Sequence, residues 1–227
     1  GANYIRSRWA VDKNTKRTVS PQTEILYELY ADGLPPITSS SFTGAPRYYA
    51  RGIVYYGKGL NVTLTANDAV SGVETIHYSL NGEAYNGYAS SLAFTQDKVC
   101  KLYYFSSDHV GNAEKTRSKN FTVDLTPPAS NHAIVGISHN GNIIAPSTRF
   151  RLSATDAMSC VNSTYYQYDQ RTRRGYYGSP VGVSGLQDGN HTIHYYSRDN
   201  VRNEETKKSF SFYLDRIPPV ISAKIEG

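Results

Sequence analysis

The chain contains the motif Asp-x-x-Pro-Pro three times, as Asp32-Gly33-Leu34-Pro35-Pro36, Asp124-Leu125-Thr126-Pro127-Pro128 and Asp215-Arg216-Ile217-Pro218-Pro219. From Pro35 to Pro127 is 92 residues, and from Pro127 to Pro218 is 91. A fixed period near the size of one domain indicates copies of a single module, joined end to end by linkers that proline stiffens. This layout is typical of arrays and unlike that of an enzyme.

The two copies match beyond the linkers. Residues 67–73 correspond to 155–161, and residues 104–112 correspond to 195–203. We predict four segments. They are residues 1–31, an N-terminal segment that is the end of a preceding unit or a docking strand; 32–123, the first Ig-like module; 124–214, the second; and 215–227, a linker and the start of a further module. We call residues 32–123 the first repeat and residues 124–214 the second repeat.

Composition and patterning favour strands. Tyrosine occurs 20 times while Trp and Met occur once each, and the hydrophobic content of 39% is enough for two cores of the size found in small β-sandwiches. Stretches such as 61–66 and 73–80 alternate apolar and polar residues, and Asn81-Gly82 is a strong hairpin signal. We count about seven strands in each copy and no helical periodicity. The predicted fold is therefore all-β, with two tandem Ig-like or fibronectin-type β-sandwiches.

Four stretches together resemble a known family. They are Thr65 to Val73, Tyr78 to Gly82, Ser106 to Glu114 and Val123 to Pro128. In this order they are similar to bacterial Ig-like surface repeats, a family named for an outer-membrane β-barrel-type repeat. The resemblance spans about residues 32 to 219 and implies a sandwich fold and an exported location: the cell surface, the periplasm or the medium. The second repeat departs from the pattern at Cys160 and Arg202, where glycines are expected, which puts identical turns in question there.

Acidic and amide residues recur at one predicted end of each sandwich. The loops there bring together Asp32, Asp68, Asp108 and Asn112 in the first repeat, and Asp124, Asp156, Asp199 and Asn203 in the second. Oxygen ligands that converge from three loops suit Ca²⁺. Asp and Asn also favour turns by bonding to nearby backbone amides, so plain turn capping is the other interpretation. Both remain open at this point, and Ca²⁺ is the one cofactor that the sequence favours.

The two cysteines occupy positions that are not equivalent in the two copies. We predict that Cys100 and Cys160 both face the junction between the repeats and form a disulfide, which would indicate an oxidising compartment. Two unrelated thiols, with Cys100 a buried strand residue, are the alternative.

A group of basic and aromatic residues marks one hairpin of the second repeat. It comprises Arg171, Arg173, Arg174, Tyr176 and Tyr177. Because exposed Tyr rings stack on sugars and Arg binds anions, this hairpin is a candidate binding patch for an anionic glycan or a partner protein. Cross-strand aromatic pairs that stabilise an exposed sheet face are the other interpretation.

Little in the sequence indicates catalysis. The six histidines are scattered, and no metalloprotease, nucleophile-elbow or phosphate-loop motif is present. The net charge of +5 is too dispersed to indicate nucleic acid, and no stretch reaches membrane-spanning length. We therefore predict a non-catalytic stalk, adhesion or docking segment of an exported envelope protein, with other envelope or outer-membrane proteins, or glycan, as partners. A carbohydrate-binding accessory module of a secreted enzyme is the alternative.

Overall fold

The computed structural model describes residues 2–6, 10–11, 14–19 and 26–224. Strands make up the regular structure of these residues, and the fold is all-β as predicted. In the N-terminal segment and the first repeat the strands are β1 Ala2–Arg6, β2 Ala10–Val11, β3 Thr18–Val19, β4 Leu26–Tyr30, β5 Ile37–Thr43, β6 Arg47–Ala50, β7 Ile53–Tyr56, β8 Asn61–Asn67, β9 Val73–Ser79, β10 Asn86–Gly87, β11 Leu92–Ala93, β12 Lys98–Asp108 and β13 Arg117–Val123. In the second repeat they are β14 Ala129–Val135, β15 Ser138–His139, β16 Ile143–Ile144, β17 Arg149–Thr155, β18 Val161–Tyr168, β19 Arg174–Tyr176, β20 Val181–Gly182, β21 Gly189–Asp199 and β22 Lys208–Leu214.

The two repeats have the same topology. In the first, one sheet has the order β11-β8-β5 and the other has the order β10-β9-β12-β13-β7-β6. In the second, the corresponding orders are β14-β17-β20 and β15-β16-β22-β21-β18-β19, so every strand has a counterpart. Two further pairs, β1-β4 and β2-β3, lie in the N-terminal segment. The prediction of tandem β-sandwiches is confirmed.

Each repeat has nine strands over the described residues, two more than the sequence indicates. The additional pairs are the hairpins β6-β7 and β15-β16. The turn of the first contains Arg51 and Gly52, both with positive φ, and the turn of the second contains Asn140 and Gly141, also with positive φ. Two consecutive left-handed residues are the signature of a type I′ hairpin turn. Beyond the turns, β7 and β16 run parallel to the last strand of their repeats and lead the chain to the other sheet.

Apolar side chains fill the sandwiches. In the second repeat the core is a cluster of Ile144, Phe150, Tyr168, Val183, Leu186, Ile193, Phe212 and Leu214. Buried side chains of the first repeat include Leu60, Val62, Leu64, Leu102, Tyr104, Phe121 and Val123. No helix among the described residues has the length and hydrophobicity needed to cross a membrane.

The chain divides into two compact units, neither of which is continuous in sequence. The first contains Gly1–Phe42, Val62–Leu92 and Lys101–Lys119. The second contains Thr43–Asn61, Ala93–Cys100 and Asn120–Gly227, and so combines the second repeat with two short segments of the first. The four segment boundaries given above stay a prediction.

Candidate metal centres and the linker between the repeats

Three carboxylates converge in each repeat. In the first, Asp32, Asp68 and Asp108 each offer an oxygen, and these atoms lie within 4.8 Å of one another. The three residues come from the linker before β5, the turn after β8 and the end of β12. Asp124, Asp156 and Asp199 form the equivalent group in the second repeat, again within 4.8 Å. We call these groups the first and second acidic clusters.

The clusters differ in burial. Asp108 is the one fully buried member of the first cluster, whereas Asp124 and Asp199 are both 1% exposed in the second. Among the described residues, no Lys or Arg forms an ion pair with any of the six carboxylates. Each cluster therefore concentrates negative charge that the described side chains do not neutralise.

The middle aspartate of each cluster caps its own turn. Asp68 Oδ1 accepts hydrogen bonds from the amides of Val70 (3.0 Å) and Gly72 (2.8 Å). Asp156 Oδ1 accepts from Met158 (3.2 Å) and Cys160 (2.7 Å) in the same way. These bonds agree with the turn-capping interpretation. They occupy one oxygen of each carboxylate, so they leave the metal interpretation open.

The two asparagines hold carboxylates in place. Asn112 Nδ2 donates to Asp108 Oδ2 (2.7 Å) and to the backbone oxygen of Asp32 (3.2 Å). Asn203 Nδ2 donates to Asp199 Oδ2 (2.7 Å) and to the backbone oxygen of Asp124 (2.9 Å). Both amide nitrogens face the cluster, so in this orientation the asparagines position the ligand set that we predicted and do not supply an oxygen to it.

The carboxyl pKa values shift in opposite directions in the two clusters. The nearby Ser71 hydroxyl, although it makes no hydrogen bond of regular geometry, is the largest cause of the lowered pKa of Asp32. Burial opposes ionisation of Asp108, but hydrogen bonds from Asn112 and Val110 outweigh it and lower the pKa of this carboxyl. In the second cluster, burial raises the pKa of Asp156, and the charge of Asp124 adds to this effect. Burial likewise raises the pKa of Asp199. Ionisation is therefore more costly in the second cluster.

One serine beside each cluster has a buried hydroxyl without a hydrogen bond. Ser71 and Ser159 are equivalent residues, and the Oγ of each makes no hydrogen bond of regular geometry. Ser71 and Ser159 donate their backbone amides to Asp32 Oδ2 and Asp124 Oδ2, both at 2.9 Å. Ser159 is 0% exposed. Buried hydroxyls are almost always bonded, so this repeated exception needs an explanation.

The turns next to the clusters are alike in the two repeats despite their different residues. Gly72 has φ +79 and Gly111 has φ +90. Their counterparts Cys160 and Arg202 have φ +66 and +71. The departures from glycine noted in the sequence therefore leave the turns unchanged, and two side chains are held in a strained left-handed conformation.

Replacing either strained residue by glycine is expected to stabilise the second repeat. A left-handed non-glycine residue costs about 1–2 kcal/mol, and the greater freedom of glycine in the unfolded chain offsets part of this. We expect Cys160→Gly and Arg202→Gly each to raise the free energy of unfolding by about 0.5–1 kcal/mol, measured by urea denaturation. The matched changes Gly72→Ala and Gly111→Ala should lower it in the first repeat. Destabilisation by both glycine substitutions would contradict the strain argument.

The linker between the repeats is hydrogen-bonded on both sides. The amide of Asp124 donates to the backbone oxygen of Tyr56 (2.9 Å) in the first repeat. Asp124 Oδ2 and the Asp124 backbone oxygen accept hydrogen bonds from Ser159 and Asn203 in the second repeat. Asp97 Oδ1, in the turn before β12, accepts from the amide of Leu125 (2.6 Å), and its other oxygen accepts from the Thr126 hydroxyl. Asp124 is thus a structural residue of both repeats at once.

A close backbone approach accompanies these bonds. A Cβ atom added at Gly57, which precedes β8, would lie 2.4 Å from the backbone oxygen of Val201. Val201 is 1% exposed, whereas the equivalent Val110 of the first repeat is 60% exposed. Only glycine allows this contact.

Sequence reasoning missed Asp97 and its counterpart Asp188. Asp188 Oδ1 accepts from the amide of Arg216 (2.7 Å), so it binds the segment after the second repeat as Asp97 binds the linker. A signal was present, because 27 residues separate Asp97 from Asp124 and also Asp188 from Asp215.

The predicted disulfide is wrong, because Cys100 and Cys160 are both free. Cys100 alternates with Leu102 on the inner face of β12 and is 2% exposed, and this burial raises the pKa of its thiol. Cys160 is exposed in its turn. One sulfur lies in a core and the other faces solvent, so they do not meet.

The candidate binding patch divides into two environments. Arg171 and Arg174 line a cleft of about 360 Å³. Arg173 instead stacks on the ring of Tyr165, at 4.6 Å, and donates to the Tyr196 hydroxyl (2.5 Å). Tyr176 donates to the backbone oxygen of Gly178, and Tyr177 is 94% exposed. The five residues share a hairpin but do not line one surface.

The chain was compared with protein families, curated proteins and solved structures. No family model matches the chain, and no curated protein matches it. A solved structure of fibronectin(III)-like modules of CbhA from Clostridium thermocellum aligns with 83% of this chain and 100% of its own, at 9% identity and a TM-score of 0.39. That similarity is too low to indicate a shared function.

Proposed function

We propose that the chain is a non-catalytic spacer: a tandem Ig-like segment of an exported bacterial cell-envelope protein that serves as a stalk, adhesion or docking element. Its sandwiches would hold a binding region at a set distance, and its partners would be other envelope or outer-membrane proteins. Export and envelope location rest on the resemblance to bacterial Ig-like surface repeats. The free cysteines give no support for an oxidising compartment.

The observation that carries the spacer role is the bonding of Asp124. Its backbone amide binds Tyr56 of the first repeat, and its carboxylate and backbone oxygen bind Ser159 and Asn203 of the second. A flexible linker would have exposed, solvated polar groups, and such linkers behave as random coils. Here the junction residue is 1% exposed and fully bonded, which favours a stiff joint.

The joint is tested by removing the second contact that holds the linker. Asp97→Ala deletes two hydrogen bonds, to Leu125 and Thr126. Because Asp97 is exposed, we expect a loss of about 1.5 kcal/mol at the joint, which raises the population of open joints about tenfold. Residual dipolar couplings show whether the two repeats move as one body. We expect one common alignment tensor to fit the unmodified protein and two tensors to be needed for the variant.

The matched control is Asp188→Ala. It removes the equivalent contact with Arg216, beyond the second repeat, and should leave the common tensor intact. Independent tensors in the unmodified protein would exclude a stiff spacer.

A carbohydrate-binding accessory module of a secreted enzyme is the second candidate. The observation that favours it is the cleft beside Arg171 and Arg174, with the exposed ring of Tyr177 on the same hairpin. Binding of an anionic glycan that is lost in Arg174→Ala and kept in Arg117→Ala would support this alternative over a pure spacer.

A further inference from the structure

The second acidic cluster buries carboxylates that have no counter-ion among the described residues. Two of its carboxylates, Asp124 and Asp199, are 1% exposed, and all three offer oxygens within 4.8 Å of one another. Burying an ionised carboxylate away from water is costly unless it is paired or binds a metal. Among the described residues, hydrogen bonds from backbone amides and Asn203 are the compensation for Asp199.

The unbonded serine hydroxyls are a separate indication of a ligand. Ser159 is completely buried, its Oγ has no hydrogen-bond partner, and its own amide donates to Asp124 Oδ2, so the residue adjoins the cluster. At the equivalent position of the first repeat, the Ser71 hydroxyl lies close enough to interact with both Asp32 and Asp108. A buried hydroxyl oxygen beside carboxylates that accepts no hydrogen bond is a suitable neutral ligand for a hard cation.

The spacing of the oxygens fits a calcium-sized ion. Ca²⁺ binds oxygens at about 2.3–2.6 Å, so two oxygens on opposite sides of one ion are separated by up to about 5 Å. The three carboxylate oxygens of each cluster lie within 4.8 Å of one another, so they can all contact one such ion. Mg²⁺ binds at about 2.0–2.1 Å and demands near-ideal octahedral geometry, a stricter requirement than the flexible coordination of Ca²⁺.

We propose that each acidic cluster binds one divalent cation of the Ca²⁺ class, through its three carboxylates and the buried hydroxyl of its serine. Water completes the coordination. In the second repeat the ligands are Asp124, Asp156, Asp199 and Ser159, and in the first they are Asp32, Asp68, Asp108 and Ser71. Since the first ligand of each set belongs to a linker, the cation fastens the linker to the repeat that follows it. Cation binding at these clusters does not depend on whether the chain is a spacer.

Calorimetric titration of the chelator-treated 227-residue protein with CaCl₂, and separately with MgCl₂, tests the proposal. We expect two Ca²⁺ ions per chain, weaker binding of Mg²⁺, and a higher unfolding temperature in Ca²⁺ than in chelator. Asp156→Asn and Asp68→Asn should each remove one ion. Both substitutions keep an Oδ1 acceptor for the turn amides, so folding is preserved.

Two further variants make the test specific. Ser159→Ala removes the neutral ligand and should weaken Ca²⁺ binding at one of the two sites about tenfold. Asp188→Asn changes an acidic residue outside both clusters and should affect neither site. If the protein still binds two Ca²⁺ ions after Asp156→Asn or Asp68→Asn, the assignment is wrong for the cluster that contains the substituted residue. The absence of heat and of any thermal shift up to about 5 mM Ca²⁺ overturns it for both, since weak extracellular sites bind at about 0.1–1 mM.

Discussion

Phe150→Ala is expected to lower the free energy of unfolding of the second repeat by about 3–5 kcal/mol, the usual cost of removing a buried phenyl ring. Phe150 is 0% exposed in β17, and its ring lies 5.1 Å from that of Phe212 and 6.3 Å from that of Tyr168, measured between centroids. The surrounding strands are hydrogen-bonded and cannot collapse into the space. Hydrogen exchange of the β21 and β22 amides, followed residue by residue, measures the loss.

Tyr177→Ala is the matched control for this prediction. It also removes an aromatic ring from the second repeat, but Tyr177 is 94% exposed, and substitutions at such sites usually stay within about 0.5 kcal/mol. Equal effects of the two substitutions would mean that the cluster around Phe150 is not the core of this repeat.

Asp199→Ala, measured in the presence of chelator, is expected to cost about 3 kcal/mol. Asp199 accepts hydrogen bonds from the amides of Val201 (2.9 Å) and Asn203 (2.8 Å) and from Asn203 Nδ2 (2.7 Å). Alanine leaves these donors buried without an acceptor. Relief of the repulsion with Asp124 and Asp156 offsets part of the loss, which is why we expect a value at the lower end of the range for a broken buried pair.

The control for Asp199 is the isosteric change to asparagine. Asp199→Asn keeps one acceptor oxygen for the two backbone amides and removes the charge, so the loss should fall to about 1 kcal/mol. Urea denaturation in chelator gives both values. If alanine is tolerated as well as asparagine, the hydrogen bonds of Asp199 do not stabilise the turn.

The repeats made the fold and the clusters predictable. Equivalent positions such as Asp68 and Asp156 mark the same turn in two copies, and the topology of a sandwich brings three such loops to one end. The hairpins β6-β7 and β15-β16 were missed, although Asn140-Gly141 is a strong type I′ signal. Its counterpart Arg51-Gly52 is a weak one, since Arg seldom adopts positive φ, and comparing the copies would have identified both hairpins.

Other features depend on tertiary contacts that no local pattern encodes. The role of Asp97 requires the linker to fold back on the turn before β12, and the burial of Val201 depends on Gly57, far away in sequence. The disulfide prediction failed for a simpler reason. Strand parity places Cys100 on the same inward face as Leu102 and Tyr104, and that alternation outweighs the position of Cys100 near the end of a strand.

The hydrogen bonds of Asp124 restrict where insertions and deletions can occur in such a chain. A residue inserted between Asp97 and Asp124 would displace a carboxylate on which two folded structures depend. This interval is 27 residues in both copies, while the intervals from Asp68 to Asp97 and from Asp156 to Asp188 are 29 and 32. The difference in length between the two copies therefore lies in the hairpins. Duplication of whole units leaves the interval from Asp97 to Asp124 unchanged and is compatible with the joint.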